Sequence, residues 1–408
     1  MRPAFVSAAD SYSTLASVRQ LGRRGIPVWV ASQTTWTRAT VSAFCAGRLD
    51  DGRGAAGAVE RRAALADARA GVLLPSDDSE LFLASSLRDL RSSCAHVPAM
   101  QTVIALLDKR RLYEEANRAR IRTPRTWYPE QPDEAARTVA AARCPVVVKP
   151  RTQILRGIPG KGDIATTPND AASLFEQYCH ADYHPSVSRV IDHVERPMLQ
   201  EVLDVPHAGI YVLSGFAAST GQVVLRGARK PAQWPARVGN GIVFGSADVP
   251  EPLAVAARRL LMNVGFVGPF DAEFIEGSGA PSLIDWNPRL YSQLAFDDAR
   301  GMPVAWLSYL DATGARGDLQ KALDFSRVDQ SRVVRFENPV LAACRRGAEA
   351  LRVAAPRTPR RDGARSVSAS FAADDWLPAL VDAAKWGAYA LAHPRSFLGG
   401  FTDLGRPA

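Results

Sequence analysis

The chain has 408 residues, 47% of them hydrophobic and 23% charged, with a formal net charge of +8 and a pI near 9.4. That length exceeds one ordinary core and implies two or three domains, and no run of about 18 apolar residues exists to cross a membrane. Five scattered cysteines without metal-type spacing exclude a disulfide framework and a zinc site; with no apolar leader at the start, they predict a cytoplasmic protein.

In chain order, "AFVSA" reads as a strand, "STLASVRQLGRRG" as an amphipathic helix and "IPVWVAS" as a second strand. Later "GVLLPS" is a buried strand that ends at the acidic loop Asp77-Asp78, before the helix "SELFLASSLRDL". Strands alternating with helices predict a doubly wound parallel α/β domain over residues 1–102. Its candidate site loops are Ala8–Ser13 and Ser76–Ser79, at the carboxyl ends of strands.

Residues 103–123 read as one charged helix with Lys109 in its first turns. "CPVVVKP" (144–150) is a buried strand ending at Lys149, and a loop with Gly157, Gly160, Lys161 and Gly162 follows it. Glycines let a backbone approach an anion closely. "MLQEVL" (198–203) is a short strand, and "IYVLSGFA" and "QVVLRGARK" form a hairpin in which Arg226 and Lys230 share one face. "PAQWPARVGNGIVFG" (231–245) reads as a mobile Pro/Gly-rich lid, and "PLAVAARRLLMNVGF" as a helix.

"FDAEFIEGSGAPSLIDWNPRL" (270–290) then reads as a β-hairpin turning near Gly279. That pivot sets Glu273 opposite Asp285 and Asp271 opposite Asn287. Side chains alternate along strands, so these four and Arg289 share one face, while Phe270, Ala272, Phe274, Ile284, Trp286 and Pro288 form the other. Facing carboxylates repel unless a cation lies between them. Beyond residue 311 the signals fade to a basic linker (353–373) and a final helix, "DWLPALVDAAKWGAYALAH", whose Trp376, Leu380 and Trp386 are expected to pack on the body.

Two features of composition bear on chemistry. The basic residues make no aromatic-interleaved patch, so nucleic acid is not the expected partner. Only six of the 50 basic residues are lysine. Lysine is a compact charge suited to a phosphate oxygen, which draws attention to Lys109, Lys149, Lys161 and Lys230. Paired carboxylates plus an asparagine make an all-oxygen set that suits Mg²⁺ or Mn²⁺, and such ions bridge to substrate phosphates. No Ser/His/Asp elbow occurs.

The order of these pieces, an "LDK" helix, "VVVKP" with a glycine loop, "MLQEVL" and then "DAEF…LIDWNPR", resembles the ATP-grasp superfamily, and within it the carboxylate–amine ligase branch. The resemblance implies a doubly wound pre-ATP-grasp domain (1–102), a two-lobed ATP-grasp domain (103–310, small lobe about 125–200, large lobe about 200–310) and a C-terminal extension (311–408). It implies that Glu273, Asp285 and Asn287 hold Mg²⁺ bridging the phosphates of ATP. Asp285 stands where many relatives have glutamate. Lys109 and Lys149 would contact phosphates, and the loop 152–162 would fold over them. Gln200, Glu201, Val202 and Leu203 would form the adenine hinge. His207 stands where many relatives have an acid touching the ribose. Lys230 would approach the γ-phosphate, and Arg289 would hold the substrate carboxylate or its acyl phosphate.

The implied function is an ATP-dependent, ADP-forming ligase joining a small carboxylate or amino acid to an amine, with a homodimer as the candidate assembly and no membrane partner. Carboxylase or phosphoryl-transfer chemistry shares the same clamp. A nucleotide-binding protein without turnover, or a basic nucleic-acid binder, is the reading from another class.

Overall fold

The structure is a computed structural model that describes all residues except 51, 53, 143–144, 158–159, 205–208, 237–238, 277–279, 330–333, 352–364 and 402–408. Short apolar runs near the start form strands β1 (Ala4–Val6), β2 (Val28–Ala31), β3 (Cys45–Leu49) and β4 (Val72–Leu73), all parallel in the order β3-β2-β1-β4. The exits of β1 and β4 lead into helices capped by Ser and Asp. Ser11 accepts from the Ser13 amide at the head of helix Tyr12–Gly22, and Asp77 accepts from the Glu80 amide, 2.9 Å away, at the head of helix Asp78–Ser86.

A second sheet joins β5 (Thr126–Trp127), β6 (Val146–Lys149), β7 (Asp163–Ala165) and β8 (Met198–Glu201), antiparallel in the order β5-β8-β6-β7. The third and largest sheet runs β13-β12-β9-β10-β11-β14-β15. Its strands are β9 (Ile210–Ala217), β10 (Val223–Trp234), β11 (Asn240–Ala247), β12 (Gly268–Ile275), β13 (Ser282–Asn287), β14 (Val334–Glu337) and β15 (Arg365–Ser368).

The predicted hairpin is β12–β13. Asp271 pairs with Asn287 and Glu273 with Asp285, in the expected register. Beyond Glu273 the register slips by one, so that Phe274 faces Leu283 rather than Ile284. A bulge of this kind shifts which side chain turns inward. Leu283 is fully buried beside Phe270, Ala272, Phe274 and Trp286, while Ile284 packs on a separate cluster with Ile210 and Phe244. Phe270 and Trp286 stack at 5.0 Å between ring centroids. This apolar layer backs the polar face of the hairpin.

Three expectations are corrected. The stretch 103–123 is two helices, Met100–Leu107 and Lys109–Arg118, broken where Asp108 turns extended to cap the second through the Arg110 amide at 3.1 Å. Both ends of the supposed lid are strand: β10 continues to Trp234, paired with Asn240 of β11, and Trp234 is gripped by Trp386, Tyr389 and Phe397, while residues 237 and 238 of the turn between them lie outside the described part. Strands flanked on both sides in the sheet and held in aromatic contacts do not swing as a loop does. Within the supposed linker, residues 365–368 form β15, parallel to β14, and residues 352–364 lie outside the described part.

The segment after 311 is also woven into the body. Leu307, Leu310, Leu319 and Leu323, from helices Val304–Thr313 and Arg316–Ser326, share one cluster with Val6, Val28 and Val30 of the first sheet. In helix Leu377–Ala392, the fully buried Asp382 accepts from Arg38 Nε (2.6 Å) and from the Tyr12 hydroxyl (2.8 Å). Trp386 packs inward as expected, whereas Trp376 and Leu380 are both 56% exposed. Among the described residues, no helix is long and apolar enough to cross a membrane.

Candidate active site

The polar face of the β12–β13 hairpin meets three other elements. Lys109 opens helix Lys109–Arg118, and its ammonium pairs with Asp285 Oδ1. Lys230, near the middle of β10 and only 4% exposed, donates to Glu273 Oε1 at 2.6 Å. Arg289 donates through Nε to Asp78 Oδ1 at 2.9 Å and through Nη2 to Asn287 Oδ1 at 3.1 Å. The hairpin is thus tied at once to the first sheet's acidic loop and to the large sheet.

Lys149, the last residue of β6, donates to Gln200 Oε1 at 2.8 Å. Gln200 is itself held through Nε2 by the Tyr113 hydroxyl (2.9 Å) and Thr126 Oγ1 (3.1 Å). Its side chain therefore orients a lysine, a task the sequence reading did not assign. Glu201 ends β8 and accepts from the Arg125 amide at 2.8 Å, and Val202 and Leu203 continue beyond the strand. His207 lies outside the described residues.

The glycine loop is anchored at one end and reaches across at the other. Ile154 is fully buried in the cluster that holds Phe5 and Leu107, and the Gly157 amide donates to Asp182 O at 2.7 Å. Residues 158 and 159 of this loop lie outside the described part. Beyond them Gly160 and Gly162 adopt φ of 125° and 149°. A Cβ on Gly162 would stand 2.9 Å from Lys149 Cβ, so glycine is what allows the loop to lie against that lysine. Lys161 extends to Asn240 Oδ1 at 3.3 Å, joining the loop to the end of β11.

Two residues the sequence reading passed over hold this arrangement. Asp108 and Arg151, both buried, form a bidentate ion pair, and the Lys109 amide donates to Arg151 O at 2.9 Å. The pair welds the helix carrying Lys109 to the end of the strand carrying Lys149. An Asp capping a helix was a legible signal; its distant arginine partner was not.

Electrostatics follow from these contacts. Burial lowers the Lys149 ammonium to about 7, with repulsion from Lys109 adding and Asp285 opposing. Burial pushes the Asp285 carboxyl up, but Lys109, Lys149 and Lys161 outweigh it and hold the group at about 2. Asp271 is buried, one of its carboxylate oxygens lacks a partner, and burial raises it to about 7 against the pull of Arg289. Three lysines thus act on the Asp285 carboxylate, and Lys230 neutralises Glu273 opposite it.

The donor chemistry fits a hard divalent ion. Glu273, Asp285 and Asn287 offer only oxygen on one strand face, and such an ion completes its shell from water and phosphate oxygens. Among the described residues, no group of three or more His, Cys, Asp and Glu stands within metal-binding reach. The two facing acids currently take lysine ammonium groups instead.

No protein-family model matches the sequence, and no curated protein matches it. Solved structures do match in backbone. The biotin carboxylase domain of 2-oxoglutarate carboxylase from Hydrogenobacter thermophilus, in complex with MgADP, ADP and bicarbonate, matches with a TM-score of 0.60 at 14% identity, over 76% of this chain and 69% of that one. N5-carboxyaminoimidazole synthetase from Staphylococcus aureus, complexed with ADP, matches with a TM-score of 0.56 at 11% identity, over 76% and 77%. The chain has the ATP-grasp fold. Biotin carboxylase from Campylobacter jejuni agrees at 0.60 and 12% identity, over 76% and 71%. On this fold Lys149 of the four-stranded antiparallel sheet acts electrostatically on Asp285 of the seven-stranded one, while Lys109 makes the direct ion pair.

Proposed function

We propose that this chain is an ATP-dependent, ADP-forming ligase that activates a carboxylate as its acyl phosphate and transfers the acyl group to an amine. One observation carries the reading: Asp285 and Glu273 face each other across the hairpin, and each is paired with a lysine from another element, Lys109 and Lys230. Facing acids interleaved with mobile cations suit a magnesium triphosphate, whose phosphates take the lysines while its metal takes the acids. When bound, Mg²⁺ neutralises charge building on the transferred phosphoryl group.

In this reading Glu273, Asp285 and Asn287 hold the ion, and Lys109, Lys149 and Lys230 hold phosphate oxygens. Gly160, Lys161 and Gly162 cover the triphosphate from above, with Gly157 as the fixed end of the loop. The backbone of Gln200 to Leu203 receives adenine, and His207 is assigned to the ribose edge. Arg289 orients the acid. A carboxylate oxygen attacks the γ-phosphorus, forming an O–P bond and breaking the bond to ADP. The amine nitrogen then attacks the acyl carbon, phosphate departs with the C–O electron pair, and the amine loses a proton. Positioning and charge neutralisation suffice, and no protein nucleophile is needed.

A second reading is favoured by the fold relatives, one of which is a biotin carboxylase domain seen with bicarbonate. In it bicarbonate is the acid activated, and the amine is carboxylated. ADP release with MgATP across acids and amines tests both. Turnover that requires an organic acid supports the ligase, and turnover with bicarbonate and an amine alone supports the carboxylase. No ADP release under any pairing overturns both.

A further inference from the structure

A cavity of about 320 Å³ opens beside Arg289, at the junction of the first sheet, the start of β12 and helix Val304–Thr313. Its mouth is marked by the exposed Ala95 and Gly265, and its inner wall by Leu74, Leu81, Phe216 and Leu290, each 3% exposed or less. A volume of roughly 300 Å³ or more with an apolar wall and a few convergent polar groups is the usual form of a small-molecule site.

Charge decides what such a site accepts. Asp311, the acid in the lining, is already taken by the Ser219 amide at 2.8 Å and by its hydroxyl. Arg289 spends Nε on Asp78, one Nη1 hydrogen on Leu290 O and one Nη2 hydrogen on Asn287, which leaves two of its five N–H groups without a partner among the described residues, and Arg88 and His96 add no acid to the lining. A cation with free donors against an apolar wall selects a carboxylate carried on a hydrocarbon or aryl body.

We propose that this cavity is the acid pocket of the enzyme, and that it takes carboxylic acids with an apolar body. The carboxylate lies on Arg289, and the body fills the space between Leu74, Leu81, Phe216 and Leu290. The proposal rests on the ligase reading above, in which Arg289 receives the acid. It goes further by naming the class of acid. Each methylene that an apolar pocket gains is worth about 10–200-fold in specificity.

The test uses the full chain with MgATP and hydroxylamine, which traps an acyl phosphate as its hydroxamate whatever the natural amine. Acetate, butyrate, hexanoate, 3-phenylpropionate, succinate and bicarbonate are compared by ADP release, and the organic acids also by hydroxamate. Hexanoate or 3-phenylpropionate is expected to exceed acetate and succinate by about 100-fold or more in kcat/KM. Ala312→Phe, which adds a ring to the cavity wall, is expected to cut that ratio at least tenfold. ADP release with succinate or bicarbonate but no gain from an apolar body overturns the pocket assignment and leaves ATP-dependent activation standing. An unchanged ratio in a folded Ala312→Phe protein also overturns the pocket assignment. No ADP release with any acid overturns both. The wild-type panel decides the matter even where the variant fails to fold.

Discussion

Lys230 on β10 reaches Glu273 on β12 at 2.6 Å although strand β9 runs between them. A lysine stem is long enough to cross that strand while its charge stays at the acid face. In the proposed reaction this ammonium would turn from Glu273 to the γ-phosphate, freeing the carboxylate that would hold the metal. Lys230→Met is therefore expected to lower kcat about 10²–10³-fold, the scale for losing one preorganised donor to developing charge. ADP-release kinetics check it; kcat within threefold of wild type would remove Lys230 from the chemistry.

Asp285→Ala removes the acid on which the lysines converge. Turnover is expected to vanish with the circular dichroism unchanged, because the side chain lies on the polar face of the hairpin and takes no part in the apolar layer behind it. Calorimetry should show that Mg²⁺ no longer strengthens nucleotide binding. Normal activity in this variant would end the metal assignment.

The Lys149 ammonium is lowered to about 7 by burial, while an unfolded lysine titrates near ~10.4. Between those values the unfolded chain binds the extra proton, so this group makes stability rise with pH from about 7 to about 10. Below 7 both states are protonated and its slope disappears. Melting curves without nucleotide should show Lys149→Met more stable than wild type at pH 7, the difference closing toward pH 10. A difference that widens over that range would contradict the burial argument.

The buried Asp108–Arg151 pair predicts a stability effect rather than a chemical one. Arg151→Met strands a carboxylate at 0% exposure and is expected to cost about 3–5 kcal/mol. Urea denaturation measures it. Because the pair also sets Lys109 against Lys149, the variant should raise KM for ATP under conditions where it remains folded. A loss under about 1 kcal/mol would show that the pair is not what joins those elements.

The hairpin shows how much was legible beforehand. Period-two alternation in "FDAEFIE" and "SLIDWNP" sorted acids from core residues, and a turn between them set the register through Glu273 and Asp285. The bulge after Glu273 escaped, because it answers the packing of Leu283 and Ile284 into two different clusters. The lid expectation failed at residues 231–234 and 240–245 for a related reason. Pro and Gly in 231–245 suggested a loop, but aromatic partners from helices Leu377–Ala392 and Pro394–Gly399 hold Trp234 in strand.

By itself, then, the sequence determined β1, β2, β4, β6, β8, β9, the first part of β10 and the β12–β13 hairpin with its apolar and polar faces, the lysines that stand out against arginine, and the facing of two acids. Each of these depends on neighbours within one hairpin or one turn, where backbone geometry dictates direction. Only the tertiary structure decided that Arg289 meets Asp78, that Asp108 meets Arg151, that Lys161 touches Asn240, and that β14 and β15 extend the large sheet. Those partners are separated by tens to hundreds of residues, and their meeting is selected by the packing of whole layers, which no local pattern encodes.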